Sequence, residues 1–135
     1  MKTVKSIAAV IAGVVTIVVL SVETDSILET AGIFTPPDEG LFVPWMLTLA
    51  LVYRSVYAIA GGYATASLAP DRPMLHVVIL GTIGTVASIA GAIVGWDLSA
   101  HWYPVALIIT SLPFTILGGR LKLNREERTF ITKKV

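Results

Sequence analysis

The chain has 135 residues, of which 55% are hydrophobic and 14% charged, and its mean hydropathy is +0.81. Soluble domains carry about 25% charged residues, and a soluble fold of this size buries only about 70% of its unfolded surface; the composition therefore excludes a water-soluble globule and a disordered chain alike. Absence of cysteine and a net charge of +1 exclude disulfide frameworks, thiolate metal sites and Cys nucleophiles and leave no global field for nucleic acid, so the reading is an integral membrane protein.

The first apolar stretch runs from about Val4 to Val22, between Lys2 and Lys5 on one side and Glu23 on the other. It approaches the ~20 residues that a helix needs to cross the hydrocarbon. A basic start followed by an apolar core is shared with secretory signals. The run from Ile7 to Leu20, however, leads into Ser21-Val22-Glu23-Thr24-Asp25 with no small-x-small cleavage pattern, so a retained membrane helix is expected. The connection that follows, residues 23–40, carries Glu23, Asp25, Glu29, Asp38 and Glu39 and no basic residue. These acids lack the spacing of a calcium loop.

A second stretch spans about Leu41 to Ala69, a third Met74 to Trp96 and a fourth Trp102 to Gly119, leaving a basic tail over 120–135. Continuous apolar runs without strict alternation predict helices, since lipid leaves no unsatisfied backbone group a partner. The expected fold is one all-α domain over residues 1–135, a bundle of four transmembrane helices in up-down-up-down order. Ala69-Pro70-Asp71-Arg72-Pro73 punctuates the second and third, with Asp71 the expected N-cap and Pro73 in the first turn. Pro113 is deep enough to kink the fourth.

Charge placement predicts orientation. With the N-terminus cytoplasmic, Lys2, Lys5, Arg72, Arg120, Lys122, Arg125, Arg128, Lys133 and Lys134 all lie inside, and the outer connections carry only acids, Asp97 among them. The positive-inside rule then places both termini in the cytoplasm. Trp45, Trp96, Trp102 and Tyr103 fall at the outer helix ends as a one-sided aromatic belt.

Arg54 interrupts the second stretch, eleven positions from Val43 and fifteen from Ala69. A charge at that depth costs at least ~2.5–3.5 kcal/mol, so a partner is expected, with Glu23 and Asp25 the candidates and Tyr57, one turn from Arg54, supporting the guanidinium. Small residues recur at spacing four: Ala58, Gly62 and Ala66 on the second stretch, and Gly84, Ser88 and Ala92 beside Ala87, Gly91 and Gly95 on the third. Such rows allow close helix approach in lipid. They are expected to join helices two and three, with one row left for a homodimer. Gly91→Leu is then expected to disturb packing or dimerisation. His76 is expected as an interfacial hydrogen-bonding group, and the Asp97/His101 pair is too sparse for a metal site. No cofactor is expected. The basic tail suits anionic lipid headgroups at about 1 kcal/mol per residue near the surface.

Gly61-Gly62-Tyr63-Ala64-Thr65-Ala66 and Ala69-Pro70-Asp71-Arg72-Pro73-Met74-Leu75-His76, within Tyr53–Gly95, resemble a segment of small bacterial four-helix membrane proteins. The resemblance covers about a third of the chain and implies a bacterial inner-membrane setting, without an activity. With no nucleotide loop, zinc-protease motif or nucleophile elbow, the expected role is non-enzymatic, a structural, interaction or accessory-subunit protein. The alternative is a small oligomeric transporter or channel using Arg54 and the Glu23/Asp25 end of helix one.

Overall fold

The computed structural model describes residues 2–36 and 40–134; Asp38, Glu39 and the side chains of Lys133 and Lys134 lie outside the described residues. The chain forms four helices, α1 (Lys2–Thr30), α2 (Pro44–Leu68), α3 (Pro73–Val94) and α4 (Trp102–Lys134), with a 3₁₀ turn at Trp96–Leu98 before α4. Among the described residues there is no strand, only an isolated bridge between Leu41 and Ser99 that joins the α1–α2 and α3–α4 connections.

Two helices outrun the lengths expected from hydropathy. α1 does not stop at Val22 but continues for 29 residues, about 43 Å, to Thr30. Its polar end is sustained by contacts with α2: the Thr24 hydroxyl lies 2.6 Å from that of Tyr57, and Asp25 accepts from Tyr53 and Arg54. The helix closes where Gly32 turns to φ +78°. The amide of Gly32 bonds Glu29 O at 3.1 Å and that of Ile33 bonds Leu28 O at 2.9 Å, the paired bonds of a Schellman ending. α4 likewise does not end at Gly119. It passes through Pro113 and continues to Lys134, so the basic tail is a helical extension, supported by a Lys122–Glu126 pair at 2.9 Å.

α1, α3 and α4 (over Trp102–Thr129) are long and apolar enough to cross a membrane, and α2 is not. Tyr53, Arg54, Ser55, Tyr57 and Tyr63 dilute its apolar character. It buries more residues than α1 or α3, packing most extensively on α4 and α1, and a helix partly covered by its neighbours needs less apolar surface than one that faces lipid all round.

Helix directions follow from the contacts. Thr65 on α2 donates to Ala9 O on α1 at 2.9 Å, while Arg54 pairs with Asp25 near the other end, so α1 and α2 are antiparallel. Near the start of α2, Leu47 and Ala50 share a buried cluster with Phe34 and Tyr103, and further along Gly62 rests on the Thr115 backbone, so α2 and α4 run parallel. α3 returns against α4, Gly81 meeting Leu112 and Val77 meeting Gly119.

The small-residue rows are used differently from the expectation. Despite their tight link, α2 and α3 meet only along a short seam. On α2, Gly61 faces Ile17 and Gly13 of α1, Gly62 faces α4, and Ala58 and Ala66 are buried. On α3, Gly84 approaches Ser111, but nothing lies within 4 Å of a Cβ built on Gly91. Gly91 therefore makes no close helix contact within this chain, and a Cβ added there meets no neighbour.

At the α2–α3 turn the N-cap is Arg72, not Asp71, with φ 41° and no side-chain cap; Asp71 instead faces Lys2 at 3.8 Å. Pro73 opens α3 as expected. A left-handed backbone costs a side-chain-bearing residue about 1–2 kcal/mol, more than the ~0.5–1 kcal/mol of extra chain entropy that glycine brings. Arg72→Gly is accordingly expected to stabilise by roughly 0.5–1 kcal/mol, visible as a small rise in the detergent melting temperature.

Candidate functional site

Arg54 lies ten residues into α2, about 15 Å from its start. Its partner is Asp25, to which the Nη2 donates, and the Tyr53 hydroxyl donates to the other carboxylate oxygen. Glu23, the other expected partner, is exposed and no contact joins it to Arg54. Helix geometry explains the choice: two residues apart means about 200° of rotation, so Glu23 and Asp25 cannot both face α2. Tyr57 does not support the guanidinium either. It sits one turn deeper, opposite Thr24, and its ring tilts against Tyr53 with centroids 5.7 Å apart.

Side-chain exposure is 34% for Arg54 and 26% for Asp25, so the pair is partly hydrated and not sealed in the core. The Nε–H of Arg54 is buried and has no hydrogen-bond partner among the described residues. Tyr103, buried at the start of α4, packs with Phe34, Leu47 and Ala50 in a cluster against which Tyr53 also lies.

The exposed part of this cluster belongs to a cavity of about 580 Å³ between the helices, within the ~300–1,000 Å³ range of small-molecule sites. α1 contributes Val14, Ile17, Ser21, Asp25 and Glu29, one face of a helix. The opposite wall is the small-residue side of α3, with Gly84, Ala87, Ser88, Gly91 and Gly95. Gly84 still approaches Ser111 of α4, but at Gly91 nothing stands close; part of the row expected as helix packing thus leaves a void, because α1 and α3 meet along a short seam where Leu80 reaches Gly13. Phe34, Gly40 and Ser99 line its end beside the α1–α2 and α3–α4 connections.

The remaining candidates are local. His76 is buried and its Nδ1 lies 2.9 Å from Arg72 O; since a carbonyl only accepts, that nitrogen carries the proton. His101 stacks on Trp96 at 4.1 Å between centroids, a surface contact. Among the described residues no three His, Cys, Asp or Glu side chains come together as a metal site would require. At the opposite end of the bundle Arg125 donates to the Tyr63 hydroxyl at 2.9 Å, tying the basic end of α4 to α2.

No protein-family model, curated protein or solved structure matches the chain.

Proposed function

We propose that this chain is a small non-enzymatic multi-pass protein of a bacterial inner membrane, of structural, interaction or accessory-subunit type, with Arg54 as a half-buried polar anchor. The observation that carries this reading is the Arg54–Asp25–Tyr53 cluster. It spends the intramembrane charge on joining α1 to α2, and it leaves few titratable groups converging where catalysis would need them. The bacterial setting rests on the resemblance of the α2–α3 hairpin. All four helices cross up-down-up-down with both termini cytoplasmic, α2 included, because basic residues cluster at one end of the bundle and acids at the other.

Absence of cysteine makes the topology testable with single introduced thiols. Ser26→Cys and Asp97→Cys are expected to react with a membrane-impermeant maleimide on intact cells, and Asp71→Cys only after lysis. Outside labelling at Asp71→Cys would mean that α2 does not cross. For the role itself, purified protein in liposomes under imposed sodium, potassium or proton gradients is expected to show no flux above protein-free vesicles. Flux that Arg54→Gln abolishes would replace this reading by the transporter reading, which the cavity beside Arg54 favours.

A further inference from the structure

We propose that the cavity between α1 and α3 is a binding site for a hydrophobic organic monocation, an ammonium or phosphonium head carried on an apolar body. This goes beyond the role proposed above and does not depend on it.

Three observations converge. First, the void has the volume of a ligand site, and its α3 wall is made of residues too small to fill it; at Gly91 no atom stands within 4 Å of a would-be Cβ. Apolar walls of this kind take an apolar body, and its removal from water or from a looser lipid contact supplies the affinity. Second, the charges that line the void do not cancel. Arg54 and Asp25 neutralise each other. Glu29 lies on the same face of α1, four residues and about 6 Å further out. It also lines the cavity, is half-buried, and among the described residues its carboxylate makes no hydrogen bond or ion pair. Among the described residues the residual charge is therefore one negative, and at Coulombic range it attracts a cation entering the cavity. Third, Phe34 and Tyr103 line the same outer end, both buried, and their rings favour a soft organic cation over a small hydrated one. The head is assigned to the space bounded by Glu29, Asp25 and these rings, and the body to the Gly84–Gly91 wall.

Arg54 is the competing feature. Its buried Nε–H has no acceptor among the described residues, and an anionic ligand would seek it. Two ions of nearly identical shape and opposite sign separate the two outcomes. Binding of tetraphenylphosphonium and of tetraphenylborate to the full-length protein in detergent is measured by isothermal titration calorimetry. The cation is expected to bind saturably at one site per chain and the anion at least tenfold more weakly. Glu29→Gln is expected to weaken the cation at least tenfold, whereas Glu23→Gln, the same charge change at an exposed position of α1, leaves it unchanged. Gly91→Leu, which projects a larger side chain from a position where a Cβ meets nothing within 4 Å, is expected to weaken it at least tenfold with the melting temperature retained. Preference for the borate would assign the site to Arg54 and overturn the proposal. Cation binding indifferent to both Glu29→Gln and Gly91→Leu would place the ion on the micelle and overturn it equally.

Discussion

Gly118→Ala and Gly62→Ala are each expected to lower the melting temperature of the detergent-solubilised protein, and Gly91→Ala to leave it unchanged or raise it. A Cβ on Gly118 would stand 2.8 Å from the carbonyl carbon of Ile59 and 3.0 Å from its Cα; one on Gly62 would stand 3.0 Å from the carbonyl carbon of Thr115 and 3.3 Å from the amide nitrogen of Gly119. These neighbours are backbone atoms in the middle of α2 and α4, so no side chain can swing aside. The two helices must separate locally, and they form the most extensive helix–helix contact of the bundle. Overpacking costs about 1–3 kcal/mol, and rigid neighbours place this case at the upper end. The helix propensity of alanine over glycine returns about 0.8–1.0 kcal/mol, which leaves a net loss of about 1–2 kcal/mol for either alanine. For Gly118→Leu it rises to ~3 kcal/mol or more. At Gly91 the propensity gain stands alone, so the sign reverses. Equal melting of Gly118→Ala and Gly91→Ala would mean that α2 and α4 do not approach as closely as described.

Hydropathy located all four helices, because a chain in lipid must satisfy every backbone group internally and apolar runs mark where it does so. It did not locate their ends. Glu23, Thr24 and Asp25 look like the start of a loop, yet Thr24 and Asp25 face α2 and are satisfied there. The stop signal eight residues on, Gly32 followed by Ile33, was legible as a helix C-terminus and carried the information that polarity obscured. At α4 the charged residues after Gly119 include Lys122 and Glu126 at helical spacing, which equally marks continued helix. Partner choice was harder to read. Adjacency along the chain suggested that α2 and α3 pack together, but α2 has small residues on more than one side, and Gly61 and Gly62, one residue apart, face α1 and α4 respectively. The row on α3 was ambiguous for a deeper reason. A run of Gly, Ala and Ser permits a close contact or leaves a void, and the choice depends on the neighbouring helix. Here that neighbour is α1, whose seam with α3 is short. That Arg54 needs a partner followed from its depth; which acid supplies it followed only from the face that α1 presents.

Asp25→Asn is expected to be the most damaging change at the polar cluster, costing more than Arg54→Gln. Asparagine still accepts from Tyr53 but leaves the guanidinium without a counter-charge halfway along α2. Breaking a fully buried pair from one side costs about 3–5 kcal/mol. Arg54 and Asp25 retain 34% and 26% of their side-chain exposure, so water reaching through the cavity moderates the loss to about 2–3 kcal/mol. Arg54→Gln leaves the carboxylate five residues from the end of α1 with the Tyr53 hydroxyl still donating, and about 1–2 kcal/mol is expected, the range of a lost charge-assisted hydrogen bond. The double variant Asp25→Asn/Arg54→Gln, read as a thermodynamic cycle of melting temperatures in one detergent, should lose no more than Asp25→Asn alone, since removing the second charge relieves the first. The pair is then a structural joint between α1 and α2. If Arg54→Gln melts at or above wild type, the charge is not maintained for stability. Its burial against Asp25 would then be a cost borne for whatever enters the cavity beside it.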